Sequence, residues 1–384
     1  MPTVSVHAPG AGEDSWKDLW NRLTSNAGLG FLNWPTNIDA DDLIWLHATT
    51  AFRRDDRWWA EFNASFFHHA SGQHKANVVA EVASAIGLTD DDKETRDLVA
   101  KRVELFLRKT IVGRKLNVQI QHGGVVPLPP SGSSGISAKE LPIPFTSTPP
   151  EPSSIVKLSA LLPPGFKTGP IETDMKLVEP EGWAVISDID DTVKVTHTLS
   201  FKDLLLHTFA EPPCPTPGFP DFYKHLDQVL DQPAWFYISA SPYNLYPFLL
   251  AFLRTFYPYG EPILRDMSWM SVAGLAASVS TGTREYKTME MRRLVGQWLP
   301  QRRYICIGDS TQTDPEAYAE IFKAFPGAIK AIWIRVVTGV SPAEEAKKNS
   351  ADRFEKAFDG IPKEIWKTFH DVAELAGLAE GLKL

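Results

Sequence analysis

The sequence predicts an α/β protein, with a doubly wound, mostly parallel sheet over residues 181–345 preceded by an α+β or β-sandwich-like domain over 1–120. Three observations carry this. Short apolar runs at 183–187, 235–238, 304–307 and 329–335 have the length and continuity of strands buried on both faces. Amphipathic stretches near 243–256, 285–299 and 315–325 supply the helical crossovers that parallel strands require. Finally, 12 of the 30 prolines fall between Pro127 and Pro180 and mark a boundary. A connecting segment with short strands, 121–180, and a helical tail, 346–384, complete the expected division.

Within the first domain, residues 1 to about 40 carry no assignable pattern. Aromatic-rich runs at 43–48 and 58–67, separated by the polar stretch 53–57, read as paired strands. Val78, Val79, Val82, Ala83 and Ile86 share one face of a helix that stops at Gly87. Thr89 opens a second helix, with Asp90, Asp91 and Asp92 in its first turn, where they favour the positive end of the helix dipole. Its apolar face is Val99, Val103, Phe106 and Leu107. The acidic run lacks the sixth-position glycine and spaced glutamate of a calcium loop, so capping explains it better. Residues 116–120 alternate as a further strand. In 121–180, proline-rich loops alternate with apolar pieces such as 155–162. These read as ordered loops joining edge strands, with recruitment of an SH3-type partner as the alternative.

Composition narrows the function. Of the 384 residues, 39 are Lys or Arg and 47 are Asp or Glu, a net charge of −8. That balance argues against binding nucleic acid or an anionic membrane by bulk charge. The two cysteines, Cys214 and Cys306, have no C-x-x-C spacing, so neither a disulfide framework nor a structural zinc site is expected. A reducing, cytoplasmic setting fits. The first residues lack the basic start and apolar core of a secretory signal. The apolar run 248–253 falls far short of the roughly 20 residues that cross a bilayer. No transmembrane segment is expected, and peripheral attachment stays open.

The chemistry lies at the carboxyl ends of the predicted strands, where open α/β sheets bind ligands. The first strand ends in Asp188-Ile189-Asp190-Asp191-Thr192. Asp188 and Asp190, two apart on an extended chain, point to one side, and such a carboxylate pair suits Mg²⁺. The second strand ends at Ser239, a hydroxyl placed for a phosphate oxygen. The third ends at Gly308-Asp309-Ser310, followed by Asp314 and then Pro315 opening a helix. Lys287, at the start of another amphipathic stretch, brings an ammonium. Lys194, Lys202, Arg265 and Arg284 are candidates for a basic rim, with surface solvation as their ordinary role. Phe201, Leu204, Leu205, Leu206 and Phe209, with Tyr243, Leu245, Tyr246, Phe248, Leu249 and Phe252, form either helix faces buried on the sheet or an apolar surface near the site.

Four such pieces in this order resemble the haloacid dehalogenase superfamily: Asp188-x-Asp190-x-Thr192, Ser239, Lys287 and Gly308-Asp309…Asp314. More narrowly, ISDIDDTVKVT, FYISASPYNLYPFL and IGDSTQTDPEAYAEI resemble the catalytic domain of the yeast actin-patch phosphatidate phosphatase family, which is related to the lipins. A looser similarity extends to DDLIWLHATTAFR and WWAEF upstream. The resemblance implies Asp188 as nucleophile and Asp190 as general acid and base. It implies Mg²⁺ held by Asp188, the Asp190 carbonyl, Asp309 and Asp314, and phosphate held by Thr192, Ser239 and Lys287. It also implies phosphatidate as substrate. Two alternatives remain: a phosphatase for another phosphorylated metabolite such as an isoprenoid diphosphate, and a cortical adaptor working through the proline-rich segment. The short gap between Thr192 and Ser239 leaves room for only a small cap.

Overall fold

The computed structural model describes residues 37–69, 72–89, 91–146, 150, 151, 153–266 and 282–382. The unassigned N-terminal stretch up to residue 36 and Asp90 lie outside these.

The first layer starts with β1 (Leu43–Leu46), β2 (Thr49–Arg54) and β3 (Arg57–Phe67). As expected, β1 pairs antiparallel with β3, Leu43 opposite Phe67. The polar stretch between them is a hairpin rather than a loop. Asp55 and Asp56 take φ of 50° and 58°, the two left-handed positions of a tight two-residue turn. Phe52 thereby comes opposite Trp59. Along β3, Trp58, Ala60, Phe62, Ala64 and Phe66 are buried, the period of two expected of a strand with one face in the core.

Residues 116–178 add β4 (Asn117–Ile120), β5 (Val125–Pro127), β6 (Ile136–Pro142), β7 (Ile155–Leu161) and β8 (Glu172–Val178). The sheet runs β1-β3-β2-β8-β7-β4-β5, with β6 on β3. Between β3 and β4 lie α1 (Gly72–Ile86), which ends at Gly87 with φ of 82°, and α2 (Lys93–Leu107). Helix α2 begins after the acidic run instead of within it. Asp92 occupies the N-cap, and its Oδ2 accepts from the amide and hydroxyl of Thr89, both at 2.9 Å, closing a turn before the helix.

The second layer is a six-stranded parallel sheet. Its strands are β9 (Trp183–Ser187), β10 (Ala234–Pro242), β11 (Glu261–Arg265), β12 (Arg303–Asp309), β13 (Ile329–Arg335) and β14 (Trp366–Phe369), ordered β11-β10-β9-β12-β13-β14. Successive residues feed opposite cores. Val185, Ile305, Ile307 and Trp333 face one cluster, which α3 (Phe201–Leu205), α4 (Phe219–Val229), α5 (Tyr246–Phe256) and α2 also supply. Ala184, Ile186, Cys306 and Ile332 face the other, together with α6 (Thr283–Arg293) and α7 (Asp314–Ala324). The apolar residues expected after the first two motifs are mostly this core: Leu204, Leu205, Phe209, Tyr243, Leu245, Tyr246, Leu249 and Phe252 are buried, while Phe201 is exposed. The chain after 345 contributes β14 as well as short helices.

The two layers meet through apolar and polar contacts. Phe52 stacks on Trp298 with ring centroids 5.0 Å apart, and the Ala48 amide donates to the Tyr246 hydroxyl at 2.5 Å. Beside this junction Glu261 is buried, and Arg293 pairs with both Glu61 and Glu290. Burial, then the nearby Glu61 charge, pushes the Glu261 carboxyl up to about 8, Arg293 opposing. A carboxyl raised on folding is protonated in the native state while the unfolded chain has released its proton. Stability therefore falls as pH rises from the ordinary glutamate range to about 8. Glu261→Gln is expected to flatten that decline in urea titrations run across the window. An unchanged slope would place the titrating group elsewhere.

Candidate active site

The parallel order sends the chain from β9 in both directions across the sheet. The reversal lies between β9 and β12, and ligands of such sheets bind at the carboxyl ends of the strands there. Asp188 follows β9 directly, its amide donating to the Ile307 carbonyl at 2.9 Å. Asp309 ends β12 and Asp314 opens α7. These three carboxylates are buried, with one oxygen from each within 4.8 Å of the others. Gly308 makes the approach feasible, because a Cβ there would sit 2.8 Å from Asp314 Cβ and Cγ.

Lys287 reaches this cluster from α6. Its Nζ donates to Asp188 Oδ1 at 2.5 Å and pairs with Asp314 Oδ1. Thr192 Oγ1 lies 3.1 Å from Asp188 Oδ2 and 3.2 Å from Asp309 Oδ2, spanning the pair. Asp309 Oδ1 accepts from the Thr311 amide at 2.6 Å and hydroxyl at 2.5 Å. Asp314 Oδ2 accepts from the Asp309 amide at 3.1 Å.

Burial raises Asp188 well above the usual aspartate value. The Lys287 charge opposes this, and Asp314, Asp309 and Asp190 add to it. Burial and Asp314 likewise push Asp309 up to about 6. For Lys287, burial alone would release the proton, but Asp188, Asp314 and Asp309 outweigh it and hold the ammonium charged. The cluster therefore lacks positive charge, and hard carboxylate oxygens this close suit a small divalent cation.

Asp190 is buried beside the cluster and turned toward hydroxyls. Its Oδ2 accepts from Ser239 at 2.8 Å and Ser241 at 2.7 Å, and its Oδ1 from Thr196 at 2.9 Å. Its side chain stands apart from the three-carboxylate group. Ser239, expected to face phosphate, here holds Asp190. Among the rim candidates, Lys194 is 1% exposed and belongs to the interior. Lys202 is exposed, Arg265 half-buried, and Arg284 is exposed and paired with Glu320 at 2.8 Å.

Sequence reasoning missed Asp191, Thr196, Thr198, Ser241 and Thr311. Asp191 has φ of 62° and accepts from the amides of Thr196 (3.1 Å), His197 (2.6 Å) and Thr198 (2.7 Å) and the Thr198 hydroxyl (2.6 Å). Arg335 donates to its carbonyl at 2.6 Å. The carboxylate thus gathers the loop 194–198 over the site. Two of these residues had a readable signal. Ser241 lies two after Ser239 in the strand and so faces the same way, and Asp309-Ser310-Thr311 has the spacing of an Asx turn.

Buried carboxylates and an ammonium at the ends of parallel strands define a centre built to bind a cation and an anionic group together. Residues 183–336, which hold every one of these groups, match the family model described as "Phosphatidate phosphatase APP1, catalytic domain". Phosphatidate phosphatase APP1 of Saccharomyces cerevisiae is 30% identical over 163 residues, 41% of this chain and 26% of that protein. An uncharacterized protein of Schizosaccharomyces pombe is 26% identical over 185 residues, 46% of this chain and 30% of its own length. The chain therefore spans under a third of these curated relatives. Over its parallel-sheet core it resembles the catalytic domain of a phosphatase hydrolase.

Gly308→Ala is expected to displace Asp314 and lower the unfolding free energy by about 1–3 kcal/mol, measured by urea titration. Wild-type stability in this variant would contradict the close packing described.

Proposed function

We propose that the chain is a Mg²⁺-dependent phosphatase that hydrolyses a phosphomonoester through an aspartyl-phosphate. The proposed substrate is phosphatidate, released as diacylglycerol and phosphate. The observation that carries this is the convergence of Asp188, Asp309, Asp314 and Lys287 from three separate stretches of chain. The strand order, with cores on both faces, supports a doubly wound sheet of haloacid dehalogenase type.

With all three carboxylates ionised, as cation binding favours, they and the one ammonium leave two unbalanced negative charges, the complement of one Mg²⁺. Asp188, Asp309, Asp314 and the Asp190 carbonyl would hold the ion, which when bound offsets charge on the phosphoryl oxygens. Asp188 then attacks phosphorus and the P–O bond to the alcohol breaks. Asp190 delivers a proton to the departing oxygen and later takes one from the attacking water, which frees phosphate and restores the Asp188 carboxylate. Lys287 opposes the upward push of burial on Asp188, favouring its carboxylate form, and neutralises the transferring group. Thr192 supplies a hydroxyl to its oxygens, while the Ser239 hydroxyl, placed by the sequence for the same task, donates to Asp190.

The name of the yeast relative supports the lipid substrate, and Phe201 and Lys202, exposed and close in sequence to the first motif, suit an amphiphile with an anionic headgroup. We propose further that the protein acts in the cytoplasm and meets its substrate at a membrane surface. No helix among the described residues is long and apolar enough to cross one. An SH3-type partner for 121–180 belongs to the adaptor reading. That segment contributes β5 to β8 to a sheet, which leaves little of it extended for such a partner.

Asp188→Asn is expected to lower phosphate release from phosphatidate in mixed micelles by at least ~10³-fold, and surviving turnover would refute the covalent route. Comparison with soluble phosphomonoesters and prenyl diphosphates assigns the substrate class. Protons and Mg²⁺ compete for Asp309, whose carboxyl is pushed up to about 6. Mg²⁺ should therefore raise the melting temperature above that pH and lose this effect below it. An effect independent of pH would point to another site.

A further inference from the structure

We propose that Lys194 is a positioning residue for the acid/base step, its buried ammonium fixing the Thr196 hydroxyl so that the hydroxyl proton is donated to Asp190. The inference rests on the phosphatase reading and assigns a role to a lysine outside its motifs. Lys194 follows the first motif in a backbone held by bridges to Asp190 and Pro215. Its Nζ donates to Thr196 Oγ1 at 2.9 Å and to the Val195 carbonyl at 3.3 Å. Lys287, by contrast, spends its charge on two carboxylates.

The hydrogen-bond inventory sets the direction of the chain. An ammonium only donates, and a threonine hydroxyl has a single proton. With Lys194 on the Thr196 oxygen, that proton goes to an acceptor. Asp190 Oδ1 lies at 2.9 Å, while the competing Lys194 carbonyl lies at 3.4 Å. The other side of Asp190 is built in the same manner. The Ser241 amide donates to Ser239 Oγ at 2.9 Å, which turns the Ser239 proton toward Asp190 Oδ2 at 2.8 Å. Asp190 is thus clamped from both sides by hydroxyls whose own oxygens are occupied.

The cost of burying the Lys194 charge is visible: burial lowers its pKa, the Asp190 and Asp191 charges oppose the fall, and Arg102 adds to it. Arg102 sits 4.7 Å from the Phe248 ring centroid and Lys194 5.9 Å from the same ring.

The test separates leaving groups. An alkyl monophosphate needs its departing oxygen protonated, whereas p-nitrophenyl phosphate releases a weakly basic phenolate that leaves without help. Lys194→Met is expected to lower kcat/KM, which reports the steps through release of the alcohol, for the alkyl ester by roughly 10–100-fold, part of the 10²–10⁴ that general acid catalysis supplies. The effect on kcat/KM for p-nitrophenyl phosphate should be at most about 3-fold, because its leaving group needs no proton and Lys287 is untouched, whereas the shared hydrolysis of the aspartyl-phosphate affects kcat alike for both esters. Thr196→Val should reproduce this selectivity, Thr196→Ser should restore the alkyl rate, and the Lys194→Met/Thr196→Val pair should be no worse than either alone. If Lys194→Met fails to fold in a thermal melt, the two Thr196 variants decide. Equal losses on both esters, or a serine no better than valine, would overturn the positioning role while leaving the phosphatase reading intact. A wild-type protein inactive on phosphatidate and on both esters with Mg²⁺ overturns that reading and this inference with it.

Discussion

A single buried ammonium holds the site together. Lys287 and its partners Asp188 and Asp314 have side chains exposed by 1%, 2% and 0%. Removing any of these charges from water costs several kcal/mol, and only their mutual attraction and hydrogen bonds offset it. The lysine comes from α6, one aspartate from the end of β9 and the other from the start of α7. Their pairing therefore fixes how a helix packed on one face of the sheet meets the strand tips. The Thr192 hydroxyl, the Thr311 donors and the close passage at Gly308 all serve the same cluster.

A second polar system lies beside the first and works by different means. Among the described residues the Asp190 carboxylate accepts from the hydroxyls of Thr196, Ser239 and Ser241 and pairs directly with no lysine ammonium, so it stays apart from the charge that polarises Asp188. Two neighbouring carboxylates in unlike surroundings are what a reaction needing both a nucleophile and a proton carrier requires. Asp191 then organises the loop above them with its backbone donors.

Legibility in the sequence followed burial. Strands β9 and β13 lie inside the sheet with both faces covered, so β9 appears as a continuous apolar run and β13 as one broken only by the exposed Lys330 before its terminal Arg335, and their bounds were readable. Strand β11 begins with a buried glutamate and a proline, and β14 with a half-buried Trp-Lys-Thr, so at the sheet's two edges the pattern is diluted. Strand β2 ends in Arg53 and Arg54, which looked like a loop until the Asp55-Asp56 turn explained them. The motif aspartates stood out because charge at an apolar strand tip is unusual, whereas Lys287, on an amphipathic helix that carries many charges, was legible only through the order of the four motifs. Thr196, Thr198 and Ser241 did not, since serine and threonine are common in any loop. Lys194 was read as solvated because a lysine outside a motif generally is.

The outermost strand has a practical corollary. Trp366 to Phe369 zips along β13, from Ile332 to Arg335, and lies thirty residues beyond the stretch shared with the yeast family. A fragment excised at the borders of that shared stretch would carry β13 as a raw, apolar rim with unsatisfied amides. It would also lose the Phe52 face that shields Trp298. Such a fragment invites strand-to-strand clumping, so recombinant pieces meant for assay are better cut outside residues 43–382.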